Sequence, residues 1–410
     1  MNAIPRFEKR VLAEVWNPAG PGEMNTMLAA GDLNGDGFQD LIVSGRNGHL
    51  VWLQNPGLAT PSENWQRHLV NTVTNIECGG AAVPVQGKAG WADIVAGSSG
   101  GADTLQWFAN PGKVQLPSQR WPRTVIAQTG FRQFHDVLAA ALRPGDPLSL
   151  FFTNQGGEGG GRLWRVPIPS DPSVSPWPGL ELIADNLWEP NPHHPQWVPS
   201  GKQPAEGLAV GDLDGDGVNE LVCGCHWFKQ RADGGWDAHR FTSGYVTTKC
   251  LIADVDGDGC NEIVLSEGDA VIYGFPRGCR CAWFKPGVDG PHGLWTEHLI
   301  LDGLFDAHTL KAGAITRPGA VDLVVGEIGK GNWDLGSYDG QPPRLWVLQN
   351  DGKGNFVPHL IDEGHGVHDA VLVDLRNNGR LDIIGKPLHG PHKWEITAWF
   401  NCYNNQNPTL

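Results

Sequence analysis

Two sets of side chains in this chain have the types and spacing to do chemistry. The first is acidic. Asp32, Asn34, Asp36 and Asp40 offer side-chain oxygens at positions 1, 3, 5 and 9 of a loop, with the Phe38 carbonyl at position 7. The pattern returns with Asp212, Asp214, Asp216, Val218 and Glu220, and with Asp254, Asp256, Asp258, Cys260 and Glu262. Such cages suit Ca²⁺, a hard ion that takes oxygen ligands, and glycine at position 6 permits the sharp turn. A helix–loop–helix site would need glutamate at position 12, where Val43, Cys223 and Leu265 stand. A strand follows each loop instead. Three structural calcium ions are therefore expected. Another loop, Asp374 to Asp382, carries Arg376 at the third position and can supply its own positive charge.

The second set is found by counting back six residues from the start of the acidic loops or of their counterparts. Those positions hold Thr26, His135, Glu206, Thr248, His308 and His368, and Lys249 is adjacent to one of them. One further repeat has no clear register, and Glu77 or Cys78 is the expectation there. Imidazoles can hold a divalent transition metal or act as acid and base near neutral pH. Lys249 can face a developing negative charge. The expected catalytic set is His135, Glu206, Lys249, His308 and His368.

The elements that must position these groups come from a repeat. Trp52, Trp107, Trp164, Trp227, Trp283, Trp346 and Trp399 recur in short apolar contexts at a mean step of about 58 residues. Each unit reads as four strands: a small apolar one, one opening on Asp or Glu (Asp40, Asp93, Glu220, Glu262, Asp322, Asp382), the tryptophan strand, and a polar–apolar alternating one. Seven such units predict an all-β, seven-bladed propeller. The blades are expected at 24–74, 75–130, 131–186, 187–244, 245–303, 304–364 and 365–403. The last lacks a fourth strand. Residues 7–13 have that pattern and are expected to complete it, which closes the ring and removes an exposed edge. His68, His239, His298 and His359 share one slot in the outer strands and are expected to serve packing.

In this frame the acidic loops lie on one face and the starts of the inner strands open on the other. Loops on that second face carry Trp16, Trp188, Trp197, Trp333 and Trp394, whose rings suit sugar faces. They also carry Arg277, Tyr338, His389 and His392. Substrate binding is expected at Trp188, Trp197, Trp333, Trp394, Arg277, Tyr338, His389 and His392.

Composition narrows the partners. The chain has 410 residues and a formal net charge of −15, which argues against nucleic acid or an anionic membrane. No apolar run reaches membrane-spanning length. No leader is visible near Met1, so the cytoplasm is expected, or secretion if a leader was removed. The eight cysteines are expected to be reduced thiols. A monomer is expected, with a dimer as the alternative.

The acidic loops and tryptophan strands resemble the FG-GAP/VCBS repeat family of propellers. A shorter likeness runs through Ala307, His308, Lys311 and Gly313, Asn55 to Gly57, and Asn64 to His68. These are similar to the propeller domain of aldos-2-ulose (anhydrofructose) dehydratases. That resemblance implies a carbohydrate-active enzyme working by β-elimination, either a lyase or a keto-sugar dehydratase. Two alternatives stay open. A glycoside hydrolase would pair Glu206 with Asp136, Asp306 or Asp369. A non-enzymatic carbohydrate-binding propeller would repeat its pockets between blades.

Overall fold

Continuous apolar runs such as Asp40–Arg46, Glu220–Cys223 and Asp322–Gly326 form strands covered on both faces, because each blade is sandwiched between its neighbours. The outer strands alternate instead, as in Gln66–Asn71, because one face meets water. The computed structural model describes residues 4–16, 24–57, 65–72, 75–87, 90–112, 120–155, 160–191, 201–269, 271–272, 274, 277–287, 290–329, 331–332, 337–338 and 341–402.

The strands form seven antiparallel blades, as expected. Blade one comprises Met24–Gly31, Asp40–Arg46, Leu50–Gln54 and Gln66–Asn71, from the channel outward. The inner strands of the other blades are Ile76–Val83, Arg132–Ala140, Leu208–Gly211, Thr248–Ala253, Thr309–Gly313 and Asp369–Val373. Blade seven is completed by Phe7–Glu14, which pairs with Glu395–Asn401 from Phe7↔Asn401 to Glu14↔Glu395. The ring thus closes with the strand expected to close it. Blade three runs past the boundary expected at residue 186. Its outer strand Glu181–Pro190 gains a second partner, Lys202–Pro204, which is the blade's fifth strand, in the register Trp188↔Pro204.

The core lies between blades. One cluster joins Leu12, Ile384 and Phe400 of blade seven to Leu28, Val43 and Val51 of blade one. The tryptophan repeat is less regular than its spacing suggests. Trp52, Trp107, Trp227 and Trp283 each face the residue two past the acidic start of the second strand. In blades six and seven that slot is taken by Val347 and Ala398, so Trp346 and Trp399 stand one residue away. A one-residue offset turns a side chain to the opposite face of the sheet. The outer-strand histidines pack as expected: His68, His239 and His298 stack on Trp52, Trp227 and Trp283 at centroid distances of 4.3, 4.1 and 3.9 Å.

A latch that the sequence reading missed repeats at four seams. Asp40 Oδ1 accepts the Asn55 N–H at 2.8 Å, and Asn55 Nδ2 donates to the Leu375 carbonyl of blade seven at 2.9 Å. Asp93 with Asn110, Asp322 with Asn350, and Asp382 with Asn401 do the same against the loops of the preceding blades. The signal was present as an Asp at the start of each second strand and an Asn just past the third. All eight cysteines are free thiols. No helix among the described residues is long and apolar enough to cross a membrane.

Candidate functional site

Residues just before or within the inner strands depart from regular backbone. Asn75, Gln133, Thr247 and Asp306 have φ of 71°, 60°, 47° and 54°. Each lies two or three residues before Cys78, His135, Lys249 or His308. His135 also falls where the ladder slips between Phe134 and Asp136, and Cys78 lies in a stretch out of register between Ile76 and Gly80. Left-handed residues and bulges re-aim side chains, here at the head of the channel.

Glu206 is the hub. It is 1% exposed. Its Oε2 lies 3.2 Å from His308 Nε2, 3.4 Å from His135 Nδ1 and 3.7 Å from Lys249 Nζ. Its Oε1 accepts from the Gln155 amide at 2.9 Å, and the same amide reaches His135 Nε2. His308 Nδ1 meets the His368 carbonyl at 2.9 Å, and the two imidazoles stack at 4.2 Å. His368 Nδ1 takes a hydrogen bond of 3.1 Å from Lys386, which also donates to the Asn25 carbonyl at 2.6 Å. Cys78 Sγ stands 3.8 Å from His368 Nε2 and 4.0 Å from His135 Nδ1. Behind it, Glu77 accepts from Ser99 at 2.5 Å and pairs with Arg46 at 2.7 Å. A cavity of about 230 Å³ adjoins the cluster, lined in part by Cys78, His135, Lys249, His308, Asp136 and Asp369.

The electrostatics follow from burial and from Glu206. Burial opposes the Glu206 carboxylate, but His135, His308 and Lys249 outweigh it and hold it well below its usual range. Burial likewise opposes the Lys249 ammonium, and Glu206 reverses the balance and raises it. Burial pulls His135 down to about 4, against the pull of Glu206. His308 is lowered by burial and then by Lys249. Burial brings Lys386 down to about 8. The head of the channel therefore presents neutral imidazoles beside a fixed ammonium.

All five residues expected to be catalytic converge here. Of the two expected for blade two, Cys78 faces the cavity and Glu77 lies behind it. Thr26 and Thr248 are buried, and Thr26 donates to the Ile76 carbonyl at 2.8 Å. The sequence reading missed Gln155 and took Lys386 only as a cation of the loop that follows it; both end second strands.

Those expected binding residues whose side chains are described do not line this cavity. Arg277 is engaged by Glu267 through two contacts of 2.6 Å. His392 holds Glu395 at 2.8 Å and stacks on His365, and His389 is buried. Trp188 lines a separate cleft with His226 and Tyr245. The Trp394 carbonyl accepts from Val15, and Lys393 lies over its ring. Trp197 and Trp333 lie outside the described residues, as does the Tyr338 side chain. Of the carboxylates named for a hydrolase pairing, Asp136 and Asp369 line the cavity. Asp136, Asp306 and Asp369 accept backbone N–H groups of Leu208, Val271 and Leu28 at 3.0, 2.7 and 3.1 Å.

The acidic loops fold as turns closed by their own first residue. Asp32, Asp212 and Asp254 each accept N–H bonds from the glycines at positions 4 and 6. Two of the three cages already hold a cationic side chain. Lys229 reaches Asp214 and lies 2.6 Å from Asp216 and 3.6 Å from Glu220. Lys285 reaches Asp256 and lies 2.7 Å from Asp258 and 3.9 Å from Glu262. The equivalent residue in blade one is Gln54, which binds His68 at 3.0 Å. In blade seven Arg376 pairs with Asp382 at 2.7 Å, the role its sequence suggested.

Residues 26–52 match the FG-GAP repeat. No curated protein matches the chain significantly. Among solved structures it resembles the crystal structure of BBS1N in complex with ARL6DN, soaked with lead, at 9% identity over 99% of each chain and a TM-score of 0.53. At that identity the likeness is one of fold.

Proposed function

We propose that this chain is a carbohydrate-active enzyme that acts by β-elimination at the head of the channel, as a lyase or keto-sugar dehydratase. The observation that carries this reading is the convergence of Lys249, His135 and His308 on one buried carboxylate beside a cavity of about 230 Å³.

Elimination removes a proton from the carbon next to a carbonyl or carboxylate, forms a carbon–carbon double bond and expels an oxygen substituent. It needs a base, a positive group facing the enolate and an acid for the leaving oxygen. His308 is suited to the first role. Its Nδ1 is committed to a carbonyl that can only accept, so a neutral ring presents a bare Nε2. Lys249 suits the second role. The proton that His308 takes up supplies the third, returned by the same ring to the departing oxygen, because His135, lowered to about 4 by burial, is neutral. Glu206 holds Lys249, His135 and His308 in register. The acidic loops, with calcium where the cage is open, brace the turns at the far ends of the inner strands.

The test is ultraviolet absorbance of an unsaturated product, from wild type on oligouronides and on keto-sugars. A new chromophore, lost in Lys249→Met and His308→Asn with the fold intact by circular dichroism, supports the reading. No chromophore from either class, with sugar binding measurable by calorimetry, would replace it with a lectin.

A further inference from the structure

We infer that a divalent transition-metal ion binds at the seam that closes the ring, held by His365, His392 and Glu395. None of the three lines the cavity at the channel head, and the inference does not depend on the elimination reading.

Three pieces of backbone bring the donors together. Glu395 opens the strand that pairs with Phe7–Glu14. His392 lies in the turn before it, where its carbonyl accepts the Glu395 N–H at 2.9 Å and brings the two side chains to one side of the turn. His365 comes from the connection between Phe356–Glu363 of blade six and Asp369–Val373 of blade seven. Its ring meets Trp399 edge-on at 5.4 Å, and the Trp399 N–H donates to Asp362 at 2.9 Å, so the imidazole packs on a ring that is itself held.

The separations suit an ion. Each of the three residues offers one donor atom, and these lie within 4.8 Å of one another. His392 Nδ1 stands 2.8 Å from Glu395 Oε1, and His365 Nδ1 stands 3.8 Å from Oε2. A tetrahedral ion with ligands roughly 2.0–2.2 Å away has ligand–ligand edges of roughly 3.3–3.6 Å. The shorter contact is a hydrogen bond. When an ion takes the place of its proton, the proton moves to the other ring nitrogen and the contact opens towards such an edge. The longer contact needs only to close slightly.

Burial and charge point the same way. His365 is 2% exposed, and burial keeps its ring neutral, so one nitrogen carries a lone pair. Glu395 stands directly opposite Glu14 in the ladder. Like charges so placed weaken a strand pair, and a cation on Glu395 offsets that repulsion. His392 is half-exposed, which gives the ion a way in and water a fourth position. Two imidazoles and one carboxylate favour Zn²⁺ or Co²⁺ over Ca²⁺, which prefers oxygen alone. Lys9 is the local opponent, because its charge acts against a positive charge at His365. A bound ion would staple the connection between blades six and seven to the strand that closes the ring, and so stabilise the folded chain.

His308 belongs to both clusters at the channel head that can gather an ion, so the test is made in an untagged His308→Asn background. The full chain is stripped with chelator, its acidic loops are saturated with Ca²⁺, and Co²⁺ is titrated by calorimetry and visible absorbance. The expected result is one Co²⁺ per chain with tetrahedral ligand-field bands, displaced by Zn²⁺, and a melting temperature that rises with Zn²⁺. His392→Ala and Glu395→Gln should each weaken binding by more than the roughly 10–100-fold that losing an outer partner costs, and should remove the rise in melting temperature. If His308→Asn prevents folding, wild type and His392→Ala are titrated side by side, and one ion fewer is expected in the variant. Absence of a Co²⁺ site, or a site unmoved by His392→Ala, would overturn the inference.

Discussion

Lys229 Nζ lies 2.6 Å from Asp216 Oδ2, inside a loop whose oxygens have the spacing of a calcium cage. Lys285 stands in the same relation to Asp258, at 2.7 Å. The lysine follows the stacked tryptophan by two residues in both blades. It comes from the third strand, outside the loop that defines the cage. The three loops are alike in sequence, but they are unlike in charge balance once folded.

That difference predicts two classes of calcium site. In wild type, blade one should bind Ca²⁺ most tightly, because Gln54 brings no charge to its cage. Lys229→Met and Lys285→Met should each add or tighten one site, by roughly tenfold or more, since a competing charge is removed. Calorimetric titration of wild type, the two variants and Asp32→Asn checks this. Three equal tight sites in wild type would mean that both lysines swing away at no cost.

The seam between blades seven and one should weaken when Asn55 is truncated. Its amide donates to the Leu375 carbonyl at 2.9 Å and to the Gln39 carbonyl at 3.1 Å. Asn55→Ala leaves those acceptors short of a donor, at a cost of about 1–3 kcal/mol. Denaturant unfolding should show it. A change below about 0.5 kcal/mol would show that water replaces the amide.

Two buried histidines should oppose the fold on mild acidification, while Asp40, Glu220 and Glu262, which burial raises to about 7, act in the opposite sense. Burial, then Arg240, lowers His226 to about 4, and burial lowers His389 to about 4. Both titrate near 6.5 when unfolded. Between those values each of these histidines binds more protons in the unfolded chain, so its contribution to stability decreases as pH drops from about 6.5 towards 4. His226→Gln should therefore shift the change in melting temperature between pH 7 and pH 5 towards greater stability in acid than wild type shows. An unchanged slope would assign the acid sensitivity to other groups.

Removal of residues 1–14 should expose Glu395–Asn401 as an edge strand. Chains so shortened are expected to self-associate, because an unpaired strand templates another. Size-exclusion chromatography with light scattering tests this. A stable monomer would mean that the edge is protected by other means.

The fold was legible because its signal repeats. Acidic residues open the second strands, and the loops before them fix the register of three inner strands directly. Counting back from those loops and their counterparts reached His135, Glu206, His308 and His368. It faltered at blade two, which has no acidic loop, and so left Glu77 and Cys78 unresolved between front and back. Gln155 and Lys386 could not be found that way, because they meet the channel from the ends of second strands. Arg277 read as a free cation because its partner Glu267 lies ten residues away, across a loop whose path the sequence does not specify. Trp346 and Trp399 read as equivalent to Trp52 because spacing alone does not resolve a shift of one residue.

The pairing of Phe7–Glu14 with Glu395–Asn401 also sets an order of events during synthesis. Of the strands in the ring, the first to be made must wait for the last. Blades one to six can assemble as the chain emerges, each on its predecessor, while the amino-terminal segment stays unpaired. Only when Glu395–Asn401 clears the ribosome can it meet Phe7–Glu14. Glu206, His308 and His368 come from blades four, six and seven, so the channel head too is complete only once blade seven has been made. Any activity there is therefore withheld from truncated nascent products.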